Sequence, residues 1–249
     1  MVQRQVIDAY LRETLAVDRF KDYGPNGLQV EGREPLGRLM CGVTASLALI
    51  DVAVSWQADA LLVHHGLFWR GQDGRLTGWL RQRVARLMAA DINLWAFHLP
   101  LDAHAEWGNN AQLGVRLGLR ADARLGDQDI AFIGDAAELN HLPALLARLK
   151  DVVQREVLCL PGDGRPLRRI AWCTGGAQGC FEQAIQAGAD AFITGEVSEP
   201  QAHLSRETGV AFLACGHHAS ERYGVQALGS HLAERFGLAY RFVDIDNPA

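Results

Sequence analysis

Residues 58–66 read Ala-Asp-Ala-Leu-Leu-Val-His-His-Gly. The apolar run is too short for a helix and is closed by two polar rings and a glycine. It reads as a strand buried on both faces, the kind found in parallel sheets flanked by helices. The upstream flank agrees. Arg38–Thr44 is a second apolar strand, Ser46 sits where a helix N-cap belongs, and Leu47–Trp56 continues with helical spacing. Downstream, Thr77–Ala90 reads as a helix, Ile92–Phe97 as a strand and Asn109–Leu117 as a short helix. Before the first strand lie an amphipathic helix, Val2–Leu15, the turn-rich Asp22–Gly27, and a strand-like alternation over Leu28–Glu31.

The rhythm returns later in the chain. Arg169–Cys173, Ala189–Thr194, Val210–Cys215 and Tyr240–Ile245 read as strands, with helices at Gly179–Ala187, Pro200–Glu207 and Ser220–Phe236 between them. The two halves also share letters. Cys41-Gly42-Val43-Thr44, a helix and Ala58-Asp59-Ala60 match Ala171-Trp172-Cys173-Thr174, a helix and Ala189-Asp190-Ala191. Each half then reaches a histidine with a carboxylate four positions on: His98 with Asp102, and His217 with Glu221. Such Ala-Asp-Ala strands are common, but the matched endings favour a duplication. The expected organisation is α/β in two similar halves with mostly parallel sheets. Residues 1–121 form the first half, 122–167 a connecting segment and 168–249 the second. The connection holds a helix, Leu142–Leu149, and a strand, Val153–Leu160.

Composition limits the function classes. The 249 residues are 49 % apolar and carry 24 basic against 29 acidic side chains, a net charge of −5. A broadly basic nucleic-acid binder is disfavoured, although a local basic groove is not excluded. No apolar run approaches the roughly 20 residues of a membrane span. Asp8 and Glu13 interrupt the region where an export signal would be apolar, so a cytoplasmic protein is expected. Five cysteines without a Cys-x-x-Cys pattern read as reduced thiols, mostly within strands.

Ligands in open α/β sheets bind beyond the carboxyl ends of strands. His64 and His65, His98 with Asp102, Glu196, and His217 with Glu221 all stand at such ends. Imidazole with carboxylate suits Zn, Mn, Fe or Ni. Adjacent histidines leaving a strand are expected to point apart, which suits two neighbouring metals better than one. A histidine pair alone is more often an accident of core or surface, and His98 or His217 alone reads equally as a core residue. Three histidine-bearing strand ends, two with matched carboxylates, carry the metal reading. His104 and His218 are placed near this group, while His141, His203 and His231 read as solvated helix residues. The glycine-rich turn Thr174–Gly179 is a weak hint of phosphate binding, and Cys215 reads as a buried strand cysteine rather than a nucleophile.

The stretches DYGPNGLQVEG (22–32), ADALLVHHGLFW (58–69), FHLPLDAH (97–104), FITGEVSE (192–199) and GHHASERYG (216–224) resemble the Nif-three-like dinuclear-metal proteins. These are also called type-2 GTP cyclohydrolase I homologues, and the resemblance is greatest to the bacterial YbgI branch. It implies two α/β halves facing each other across a metal-containing cleft. It implies two divalent cations (Zn, Mn, Fe, Ni or Mg) on His64, His65, Asp102, His217 and Glu221, with Glu221 bridging. His98 and Glu196 would stand beside them for proton transfer. It further implies a homohexameric ring and a metal-dependent hydrolase acting on a nucleotide-like substrate, with a link to damaged DNA or nucleotides. The rival expectation is a non-catalytic ring that carries metal or holds nucleic acid.

Overall fold

The computed structural model describes residues 1–249. The chain folds into two compact units, Met1–Gly108 with Gly224–Asp246, and Asn109–Tyr223 with Asn247–Ala249. The first contains β1 (Gly27–Val30), β2 (Arg38–Thr44), β3 (Ala60–His65), β4 (Asn93–Ala96) and β11 (Ala239–Phe242) in the order β1-β4-β3-β2-β11. All neighbours are parallel except β1, which pairs antiparallel with β4. The second contains β5 (Arg120–Leu125), β6 (Ala131–Asp135), β7 (Leu158–Leu160), β8 (Arg169–Trp172), β9 (Ala191–Thr194) and β10 (Ala211–Ala214) in the order β5-β6-β8-β9-β10-β7. Its centre, β8-β9-β10, is parallel; β5, β6 and β7 join antiparallel.

Alternate residues of these strands enter different cores, one on each face of a sheet. Leu39, Cys41, Ala60, Leu62 and Trp95 pack together on one side of the first sheet, with α1 (Arg4–Thr14) and α10 (Arg222–Phe236) contributing Ile7, Leu11, Val225, Leu228 and Leu232. Met40, Leu61, Val63, Leu94 and Ala96 enter the opposite core under α2 (Leu47–Ser55) and α3 (Gly78–Ala90). In the second unit Ile170, Trp172, Ile193 and Leu213 face one core, which α5 (Asn109–Leu117) and α6 (Leu142–Val153) also line. Ala171, Phe192 and Phe212 face the other, beside α7 (Phe181–Gln186) and α8 (Glu199–Thr208).

The repeated Ala-Asp-Ala has a physical meaning. The Asp59 carboxylate accepts the N–H groups of Gly37 and Arg38, and the Asp190 carboxylate accepts those of Arg168 and Arg169. Each aspartate pins the start of its neighbouring strand. Ser46 caps α2 as expected, its hydroxyl accepting from the Leu49 N–H.

The sequence-based segment boundaries need correction. Residues 122–167 are not a connector: they supply most of β5, all of β6 and β7, and α6 to the second sheet. The final strand does not stay with the second half. It pairs with β2, whose outer edge would otherwise present a row of unsatisfied backbone groups. The strand expected over 153–160 begins only at Leu158, because Leu145, Leu149 and Val153 form one buried helical stripe that prolongs α6. All five cysteines are free thiols. No helix is long and apolar enough to cross a membrane.

Candidate metal centre

Because β3 and β4 run parallel, His64, His65 and His98 leave the same end of the first sheet. The two adjacent histidines do not diverge. The strand stops at His65, so nothing beyond holds the rings to opposite faces; their centroids are 4.6 Å apart, and His98 is 5.0 Å from His64. Nitrogens of all three fall within 4.8 Å of one another. His64 is fully buried, and its Nδ1 lies 2.9 Å from the Phe97 carbonyl oxygen. A carbonyl only accepts, so the proton is on Nδ1, and Nε2 faces the Asp102 carboxylate at 3.5 Å. His65 Nδ1 is 3.1 Å from the Thr44 hydroxyl. Asp102 is buried on α4 (Leu99–Ala103), one helical turn after His98, which explains the four-residue spacing.

His98 depends on a residue that the sequence reading passed over. The Asp22 side chain is almost wholly buried, with its carboxylate 2.7 Å from His98 Nδ1. It also accepts the N–H groups of Tyr23 and Leu99 and an amide N–H of Asn26, so it caps α4 from a distant loop. Burial opposes its charge, yet the His98 ring, Asn26 and the Tyr23 N–H hold it below the usual carboxylate value. Asn26 accepts the His98 backbone N–H at 2.7 Å. Gln29 accepts the Leu67 N–H at 2.8 Å and donates to the Pro25 carbonyl. The segment Pro25-Asn26-Gly27-Leu28-Gln29 therefore ties down the chain after both β3 and β4. Asp22 lies 76 residues from His98, and no local pattern marks such a pairing.

In the second unit β9 and β10 deliver Glu196 and His217 to one sheet end. His217 opens the short helix α9 (His217–Ser220), and Glu221 follows one turn later, buried to 2 % exposure. His217 Nδ1 is 2.6 Å from Glu196, and its Nε2 is 3.3 Å from Glu221. Burial works to lower the ring's pKa, but Glu221 and then Glu196 outweigh it and hold it up at about 9.

The glycine-rich turn packs against this pair. The N–H groups of Gly175 and Ala177 are already taken by the hydroxyls of Ser220 and Thr194. Gly175 has φ +71°, and a Cβ there would stand 2.0 Å from Glu221 Oε1, so only glycine leaves room for that carboxylate. Cys215 is buried and its thiol pKa is pushed up to about 12, which suits packing and not nucleophilic attack.

The remaining histidines sort by which nitrogen is engaged. His104 Nδ1 accepts the N–H groups of Glu106 and Trp107, and its ring stacks on Trp107. It closes a turn through that nitrogen and is not among the side chains whose donor atoms cluster for an ion. His141 is exposed, as expected, and caps α6 by accepting from the Ala144 N–H, whereas His231 is wedged between Trp107 and the Tyr10 hydroxyl and is not a solvated helix residue. His203 pairs with Glu199 on the exposed face of α8, as expected. His218 is buried on α9.

Histidine and carboxylate donors of this kind match first-row divalent ions, and ligating histidines nearly always give their other N–H to an oxygen. His64, His98 and His217 each place Nδ1 on an acceptor-only oxygen. With the room kept for Glu221 by Gly175, the residues fit such ions.

Comparison with known proteins places these residues in a wider set. The family model Duf34/NIF3 (NGG1p interacting factor 3) matches residues 2–248. A protein of Neisseria meningitidis named GTP cyclohydrolase 1 type 2 homolog is 50 % identical over 249 residues, covering all of both chains. One of the same name in Pseudomonas aeruginosa is 52 % identical over 235 residues, 93 % of this chain and 92 % of its own. The solved structure of protein ybgI, described as of unknown function, is 42 % identical and covers 99 % of both chains with a TM-score of 0.91.

Proposed function

The chain belongs to the Duf34/NIF3 family, and from that premise we propose that it is a divalent-metal-dependent hydrolase acting on a nucleotide-like substrate. The proposed ligands are His64, His65 and Asp102 in the first unit and His217 and Glu221 in the second, serving two cations. The observation that carries the reading is the common presentation of the imidazoles. His64, His98 and His217 are each anchored through Nδ1 to a carbonyl or carboxylate oxygen, which turns Nε2 of His64 toward Asp102 and Nε2 of His217 toward Glu221. A divalent ion supplies Lewis acidity, polarising an electrophilic carbon or phosphorus centre and making water a usable nucleophile near neutral pH.

The protein's own groups supply the rest. His98, oriented by Asp22, takes or returns a proton at Nε2. Glu196 fixes the His217 ring and neutralises it when charged. The name carried by the relatives supports ring-opening hydrolysis as the reaction class. The same reading assigns a cytoplasmic homohexamer, which sedimentation of the purified chain tests.

The test is elemental analysis of protein purified from its own host, followed by a screen of nucleotides, cyclic amides and phosphoesters with the metal found. Metal-dependent turnover is expected, and it disappears in folded Asp102→Ala and Glu221→Ala variants. Fully loaded protein that turns over none of these classes overturns the reading.

A further inference from the structure

Two aromatic rings border the imidazole group of the first unit without belonging to its cores. Trp69, four residues past the end of β3, is half-buried; its ring meets His98 edge-on at 5.1 Å and His65 at 5.9 Å. Tyr23, beside Asp22, is 60 % exposed and meets the His98 ring at 6.1 Å. Neither ring joins the apolar clusters that hold the first sheet. A tryptophan that is only partly buried, and packed against polar rings rather than an apolar core, forgoes some of the stabilisation that full burial would supply, so its place calls for another use.

The loops carrying the rings are locked together. The Arg70 N–H donates to the Tyr23 carbonyl, and its guanidinium donates to the Asp22 carbonyl at 2.7 Å. Gly24 lies so close to the neighbouring loop that a Cβ would stand 2.5 Å from the Phe68 carbonyl oxygen and 3.5 Å from the Trp69 ring. The backbone carrying both rings is therefore fixed beside His98 before any ligand arrives. A flat apolar surface beside the imidazoles suits a planar heteroaromatic ring, which stacks without needing a particular hydrogen-bond pattern.

We infer that Trp69 and Tyr23 form a stacking subsite for the heteroaromatic base of the substrate, setting its ring beside His98. This rests on the hydrolase reading for its substrate class but is tested apart from turnover. Kd values for GMP and for ribose 5-phosphate, which lacks the base, are measured by calorimetry on the full-length zinc-loaded protein. The expected result is tighter binding of GMP than of ribose 5-phosphate. Trp69→Ala raises the GMP Kd about tenfold or more, leaves ribose 5-phosphate within about twofold, and Trp69→Phe recovers most of the loss. Tyr23→Ala, at an exposed ring, carries the same comparison where Trp69→Ala does not fold. GMP binding no tighter than ribose 5-phosphate, or unchanged in the folded variants, overturns the subsite. The substrate screen then still decides whether the protein is a hydrolase, because metal-dependent turnover of ring-free phosphoesters survives that outcome.

Discussion

Glu196→Gln separates the two jobs that Glu196 performs at His217. The amide oxygen of glutamine still accepts from Nδ1, but one of the two negative charges beside the ring disappears. In the metal-free protein those charges hold the His217 pKa at about 9 against the ordinary 6.5. At pH 7 only about one ring in a hundred is therefore neutral. A divalent ion that takes Nε2 must displace the proton, so its apparent affinity rises about tenfold per pH unit from 7 toward 9. In Glu196→Gln only Glu221 still raises the pKa, so the rise with pH levels off sooner. Zinc uptake against a chelating dye at pH 6.5, 7.5 and 8.5 measures the slopes. Calorimetry in buffers of different ionisation enthalpy counts the proton released. Wild-type affinity that is flat between pH 7 and 8.5, or a Glu196→Gln slope equal to the wild type, refutes the assignment of His217 as a protonated ligand.

The same shift makes a statement about stability. A pKa raised by folding means the charged ring favours the folded state, fully below about pH 6.5 and progressively less as pH rises through about 9. Melting temperatures of the metal-free protein are expected to fall across that window, and those of the metal-loaded protein to lack that fall.

Three further substitutions probe the framework. Gly175→Ala places a methyl group 2.0 Å from the Glu221 oxygen at a positive φ, so metal affinity falls at least about tenfold and the melting temperature drops; dye competition and thermal melts separate the two. Asp22→Asn keeps one oxygen for His98 Nδ1 and the Tyr23 N–H but turns an NH2 group toward the Leu99 N–H and the Asn26 amide, costing about 1–3 kcal/mol in urea unfolding. Because folding lowers the Asp22 pKa, its contribution is present above about pH 4 and lost on acidification below its folded value, so the variant also loses acid sensitivity in that range. Leu228→Ala empties a fully buried site between α10 and the first sheet and is expected to cost about 2–5 kcal/mol; an unchanged urea midpoint would show that the returning C-terminal segment is not part of that core.

What the amino-acid sequence discloses follows from how far apart the interacting groups lie. Strands β2, β3, β9 and β10 are legible because each is an apolar run whose alternate residues fill two cores. Strand β5 is hidden by the charges of Arg120, Asp122 and Arg124, which are tolerated because it lies at the edge of the second sheet. The terminal strand is locally visible, but its destination is not. Its pairing with β2 joins Ala239 to Arg38, some two hundred residues apart, and no local periodicity encodes that step.

The candidate site divides in the same way. The histidines and their i+4 carboxylates stand out because spacing at strand ends is local. Their sorting into anchored and incidental rings depends on which oxygen meets Nδ1. Phe97 and Asp22 reach His64 and His98 across 33 and 76 residues. Residue type therefore locates the histidines that could bind an ion, whereas tautomer decides which nitrogen faces it. Only the folded loops set that tautomer. This explains why His104, sharing a helical turn with Asp102, falls outside the group: its Nδ1 is spent on the N–H groups of Glu106 and Trp107.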